Sequence, residues 1–185
     1  MRYKITAPSH IDTTINLPAS KSISNRALIL HALGKGSVVP DNLSDCDDTK
    51  VIINALKTMP PVIDIKAAGT AMRFMTAYLS VTPGEHVITG TNRMKHRPIR
   101  VLVDALRKLG AQIEYTEEEG FPPLRITGDS LDGGMLEIPG DVSSQYISAL
   151  LMIGPAMKNG LKLRLTGNIV SRPYIDLTLH VMHEF

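Results

Sequence analysis

The stretch at residues 17–33, LPASKSISNRALILHAL, changes character at a single point. It is polar and hydroxyl-rich up to Arg26 and apolar with helical spacing from Ala27 to Leu33. Such a boundary reads as the mouth of a helix, where backbone N–H groups without an intrahelical partner and the positive end of the dipole favour an anion. Ser20, Lys21, Ser22, Ser24, Asn25 and Arg26 crowd that mouth. A plain capped surface helix needs one Ser and has no use for Lys21 and Arg26 together.

Working outward, the same pattern returns twice. Thr70 to Leu79 and Ser144 to Ile153 are also small, apolar and polar-headed, and each of the three segments is followed by a more amphipathic helix pattern. The first helices start at Ser22, Thr70 and Ser144, and the second run Asp48 to Met59, Pro98 to Leu109 and Pro173 to Phe185, so the starts are offset by 26, 28 and 29 residues. That regularity predicts three copies of one unit. Strand patterns at His86 to Thr89, Gln112 to Tyr115, Leu124 to Thr127, Met135 to Ile138 and Leu161 to Leu165 fill the spaces, with a turn over Glu117 to Gly120. The predicted fold is α/β, built of repeated strand-helix-strand-helix-strand-strand units in a pseudo-threefold arrangement. The tail of the first unit is short, only Pro61 to Lys66, and the third unit lacks its tail, so the chain is expected to be a fragment of a longer protein. With three helix mouths on one face, anion sites should collect there.

Composition bounds the function. At 43% hydrophobic and 21% charged residues, the chain is ordinary globular material rather than a disordered or fibrous one. A net charge of +2 with 4% aromatics and no Lys/Arg block argues against nucleic acid. The first ten residues hold no apolar signal core and no apolar run approaches spanning length, so a cytoplasmic location without membrane partners is expected. Cys46 is the single cysteine, which excludes an internal disulfide. The flanking Asp45, Asp47 and Asp48 are expected to raise its thiol pKa and keep it unreactive.

The other two mouths carry chemistry of the same kind. In AAGTAMR, residues 67–73, Gly69 allows close backbone approach and Thr70 is expected to cap the helix. The second helix of that unit opens NRMKHRPI, residues 92–99, with Pro98 expected at the first helical position and Arg97 just outside it. A guanidinium there offers a two-pronged fork to phosphate or carboxylate, while Arg93, Lys95 and Arg100 read as solvated charges. In the third unit Ser143, Ser144 and Gln145 stand at the first mouth, and Ser171, Arg172, Pro173 and Tyr174 repeat the Arg-Pro step at the second.

SKSISNR, AAGTAMR, NRMKHRPI, DVSSQYISALLM and VSRPYIDLTL together resemble the amino-terminal half of the 5-enolpyruvylshikimate-3-phosphate synthase (EPSP synthase) family, from about Ile15 to Phe185. Members are more than twice as long and have two domains of three such units each, with the active site between them. The resemblance implies one domain of a two-domain enolpyruvyl transferase fold, with residues 1–16 a strand segment contacting the missing second domain and residues 17–185 a truncated shikimate 3-phosphate binding domain.

By the same resemblance, Ser22 and Arg26 hold the shikimate carboxylate, Ser143, Ser144 and Ser171 its 3-phosphate, and Gln145 and Tyr174 its ring. Lys21, the candidate catalytic residue, stands between the substrates, and Gly69, Arg97, Gln145 and Lys21 contact the phosphate of phosphoenolpyruvate. No metal and no cofactor are implied, and the partners are the two small-molecule substrates and a carboxy-terminal domain. Two positions depart from the family pattern: Ala67 stands for a common Asn and Arg100 for a usual Gly. The sister UDP-N-acetylglucosamine enolpyruvyl transferase shares the fold but lacks the Ser-Lys-Ser opening and carries a loop Cys that Cys46 does not match. A non-catalytic phosphate-binding module is the alternative from a different class.

Overall fold

A computed structural model describes residues 2–34 and 40–185. Seven α-helices are described: α1 (Lys21–Leu33), α2 (Asp47–Thr58), α3 (Gly69–Ser80), the single turn α4 (Asn92–Lys95), α5 (Arg100–Lys108), α6 (Ser144–Ile153) and α7 (Arg172–His183). Six strands lie among them: β1 (Val62–Asp64), β2 (Gly84–Thr89), β3 (Gln112–Tyr115), β4 (Leu124–Gly128), β5 (Gly134–Pro139) and β6 (Leu161–Thr166).

The helices form two rings. α1, α3 and α6 pack on one another at the centre, while α2 packs on α1 and α3, α5 on α3 and α6, and α7 on α6 and α1. Each outer helix thus bridges two inner ones in cyclic order, the pseudo-threefold arrangement expected from the repeat. Burial follows the sequence pattern, since every residue of α3 except Thr70 is buried and α6 is buried apart from Gln145 and Leu151. Such all-round apolar helices are stable only when covered on every side. The inner hydroxyls of α3 find partners on its own backbone, with Thr76 donating to the Met72 carbonyl (2.7 Å) and Ser80 to that of Thr76 (2.8 Å).

The sheets lie outside the helices. β1 pairs parallel with β2, and β4 joins β2 and β3 antiparallel, giving the order β1-β2-β4-β3 with Ile88 opposite Leu124 and Ile113 opposite Ile126. β5 and β6 form a separate parallel pair around α6. Gly128 ends β4 where a Cβ would come within 2.1 Å of the Leu79 carbonyl, so only glycine lets the sheet close onto the end of α3.

One boundary differs from the sequence reading. Val62–Asp64, predicted as the tail of the first unit, instead opens the second by pairing with β2. The first unit has no strand among the described residues; the stretch between α1 and α2, where the repeat expects one, includes residues 35–39, outside those described. The strand expected over 1–16 is assigned to contacts outside this chain; within it, residues 2–20 carry neither helix nor strand, and Ile5, Ile11, Ile15 and Leu17 are exposed. A strand needs a hydrogen-bonding neighbour, and none of the described residues pairs with that segment.

Candidate functional site

The three inner helices bring their N-termini to one place. A cleft of about 270 Å³ is lined by Lys21, Ser22 and Arg26 of α1, Thr70 of α3, Ser144 and Gln145 of α6, and Tyr174 of α7. The lining contains two cations, hydroxyls and an amide, and no carboxylate. At the mouth of α1 the Ile23 N–H donates to Ser20 Oγ (3.4 Å), and at α6 the Gln145 N–H donates to Ser143 Oγ (3.3 Å). Among the described residues no side chain caps α3, whose N-cap is Ala68. Thr70, expected as that cap, instead accepts from Gln145 Nε2 (3.2 Å) and ties the second mouth to the third.

Arg26 forms the floor. It is 2% exposed, and its partners are the Thr178 and Ser148 hydroxyls and the Ser22 and Tyr174 carbonyls, with its guanidinium 5.3 Å from the centre of the Phe74 ring. No carboxylate among the described residues pairs with it. Burial pulls its pKa down from the ordinary arginine value to about 10, slightly offset by Tyr174, so it stays cationic at neutral pH. Lys21 is half exposed and its Nζ lies 3.7 Å from Asp48 Oδ1.

A second buried guanidinium supports the mouth of α3. Arg73, 4% exposed, donates to the Gly69 carbonyl (3.0 Å) and the Pro98 carbonyl (3.2 Å), and Tyr146 OH donates to the same Pro98 oxygen (2.8 Å). Burial lowers its pKa, with the charge of Arg97 adding to the effect. Arg97 itself is exposed and its side chain makes no hydrogen bond or ion pair among the described residues, and its Nη1 would lie 2.3 Å from a Cβ on Gly69. The missing side chain of Gly69 is what admits that guanidinium to the helix mouth.

Of the sequence-predicted site residues, Lys21, Ser22, Arg26, Ser144, Gln145 and Tyr174 share the cleft, while Gly69 and Arg97 stand beside it through Thr70. Ser143 and Ser171 are exposed N-caps of α6 and α7 and are not among the residues that line it, and Ser171 has a left-handed backbone (φ 53°). Pro98 is not the first helical residue, since α5 starts at Arg100; its carbonyl serves as an acceptor instead. Arg100 and Lys95 are ion-paired rather than merely solvated, with Glu119 (3.0 Å) and Glu117. Cys46 departs from expectation. Burial pushes its thiol up, but hydrogen bonds from Ser44 and Thr49 outweigh this and lower the pKa, with the charge of Asp48 the weakest influence. The sequence reading missed Ser148, Thr178 and Phe74, the cage around Arg26. They look like core residues in sequence, and the only signal was a hydroxyl at each of two buried helix positions.

A hollow of about 490 Å³ between α1, α2 and α3 is larger, but Leu28, Ala32, Ile53, Leu56 and Tyr78 make it mostly apolar and no helix mouth opens into it. No described helix is long and apolar enough to cross a membrane.

Fold and cleft define a class: a repeated-unit α/β domain that gathers helix N-termini and cations on one face. Residues 5–63 and 59–185 match the model of the family described as EPSP synthase (3-phosphoshikimate 1-carboxyvinyltransferase). The chain belongs to that family. It is 70% identical over its whole length to a 3-phosphoshikimate 1-carboxyvinyltransferase of Bacteroides fragilis, and covers 45% of that protein. It is 43% identical to one from a Sulfurovum species, with 95% of this chain and 47% of that protein covered. The chain thus spans about half the length of the curated relatives it matches. A solved EPSP synthase of Acinetobacter baumannii superposes with a TM-score of 0.71 at 23% identity, covering 83% of this chain and 40% of that one, which establishes likeness of fold.

Proposed function

We propose that this chain is the shikimate 3-phosphate binding half of an enzyme that transfers the enolpyruvyl group of phosphoenolpyruvate to the 5-hydroxyl of shikimate 3-phosphate. The observation that carries the reading is the cleft at the three inner helix mouths, which holds two cations and no carboxylate. A phosphorylated hydroxy acid needs two anion sites with hydroxyl-rich space between. Arg26 and Ser22 suit its carboxylate, and Ser143, Ser144 and Ser171 suit its phosphate at the mouths of α6 and α7. Gln145 and Tyr174 line the ring between them.

Phosphoenolpyruvate would meet Lys21, Gln145, the Gly69 backbone and the Arg97 fork. The reaction adds the 5-hydroxyl to the enolpyruvyl carbon, with a proton to the methylene, and then expels phosphate as the resulting methyl gives up a proton, which restores the enolpyruvyl double bond. Lys21, half exposed and within reach of Asp48, stabilises the charge developing between the substrates. Removing the hydroxyl proton and protonating the methylene require groups in a cleft closed from water; the second domain supplies them. The setting is cytoplasmic, and the partners are the two substrates and that domain. The assay is phosphate release from both substrates, by this chain alone and with a separately produced carboxy-terminal half. We expect no turnover alone and measurable turnover on mixing, because catalytic groups that act as a unit are not additive. Robust turnover by the chain alone would overturn the division of labour.

A further inference from the structure

We propose that Ser148 and Thr178 are positioning residues for Arg26, a neutral cage that aims the guanidinium at the substrate carboxylate without cancelling its charge. The proposal rests on the function given above and concerns how the carboxylate subsite is built. Arg26 Nε donates to Thr178 Oγ1 (2.7 Å), Nη1 to the Ser22 carbonyl (2.8 Å), and Nη2 to Ser148 Oγ (2.9 Å) and the Tyr174 carbonyl (3.3 Å). A guanidinium has five N–H groups. Four are accounted for, and the fifth, on Nη1, lies on the Ser22 side, where both residues line the cleft.

The hydroxyl protons can be assigned. Thr178 gives its proton to the Tyr174 carbonyl (2.7 Å), so the 2.7 Å contact between Thr178 and Ser148 is donated by Ser148. The protons run Ser148 to Thr178 to Tyr174, and both oxygens turn lone pairs toward Arg26. Phe74 closes the remaining face with its ring. The guanidinium is thereby held by α1, α3, α6 and α7 together.

The choice of hydroxyls matters. A buried guanidinium is ordinarily paired with a carboxylate, and such a pair would leave little attraction for a second anion. Here every partner is neutral, so the positive charge is buried at a cost and an arriving carboxylate relieves it. That cost is visible in the lowered pKa.

The test compares shikimate 3-phosphate with its carboxamide analogue by calorimetry on the 185-residue chain. Thr178→Val removes the Nε acceptor and is expected to weaken shikimate 3-phosphate about tenfold, while the carboxamide binds wild type and variant alike. Thr178→Ser should restore wild-type affinity, and Thr178→Val should add nothing in an Arg26→Ala background. If Thr178→Val loses its helical circular dichroism, Ser148→Ala carries the same comparison, with a loss of about threefold. Equal weakening of both ligands, or of neither, would overturn the cage. Wild type that fails to bind shikimate 3-phosphate would overturn the functional reading itself, and with it the subsite.

Discussion

Gly69→Ala separates the two substrate sites. The added Cβ would stand 2.3 Å from Arg97 Nη1 and 2.9 Å from its Cζ, and no other heavy atom within 4 Å lies nearer than Arg97 Nη2 at 3.1 Å. Ordinary contact between such atoms is roughly 3.5 Å, so the guanidinium must retreat by about 1 Å. The exposed Arg97 side chain forms no hydrogen bond or ion pair among the described residues, so the retreat breaks nothing that holds the fold. Alanine is also the better helix former, and the melting temperature should change by no more than about 2 °C. The charge-assisted contact to the phosphate of phosphoenolpyruvate, worth about 1.5 to 3 kcal/mol when well made, is weakened rather than abolished, so KM for phosphoenolpyruvate should rise about tenfold. Shikimate 3-phosphate, which this reading places on the other mouths, should bind within about twofold of wild type. Phosphate release by the chain mixed with its carboxy-terminal half gives KM, and calorimetry on the chain gives the other affinity. A fall in shikimate 3-phosphate affinity with an unchanged KM for phosphoenolpyruvate would refute the placement of Arg97 and Gly69.

Two further outcomes follow from buried groups. Arg26→Ala should weaken shikimate 3-phosphate by about 10-fold to 100-fold in calorimetry, the range of one charge-assisted contact, and equal affinities would remove Arg26 from the site. Cys46 gives a pH dependence. Its folded-state pKa lies below the ordinary 9.0, so between the two values the native state binds fewer protons than the unfolded chain and stability rises with pH. That contribution is complete above 9.0 and is lost as pH falls through the folded value. Urea midpoints taken from neutral pH to about pH 9 should therefore climb in wild type relative to Cys46→Ser, and a relative fall would show that burial outweighs the hydrogen bonds from Ser44 and Thr49.

Much of the architecture was legible because the inner helices must be apolar all round. Thr70 to Leu79 and Ser144 to Ile153 announced their burial in sequence, and their shared offset announced the repeat. The details that escaped were those set by contacts between distant segments. Val62–Asp64 looks like a tail until β2 pairs with it. Thr70 satisfies every local rule for a cap, yet its hydroxyl faces Gln145, 75 residues away. Pro98 suits the first turn of a helix, but its carbonyl is held by Arg73 and Tyr146, and the helix begins two residues later. The thiol of Cys46 was judged from its charged neighbours in sequence, whereas the hydroxyls of Ser44 and Thr49 decide its pKa. For the site, residue types at the mouths pointed to an anion. The cage of Ser148, Thr178 and Phe74 could not be read, because hydroxyls inside buried helices most often bond their own backbone.

The central claim is that the mouths of α1, α3 and α6 form one shikimate 3-phosphate site, and amide chemical shifts of the isotope-labelled chain test it most directly. On titration with shikimate 3-phosphate, the signals of Ser22, Thr70, Ser144 and Gln145 should move together along a single saturating curve, with Tyr174 following on α7. Shifts confined to one helix mouth, or centred on the apolar hollow around Leu28 and Ile53, would contradict it.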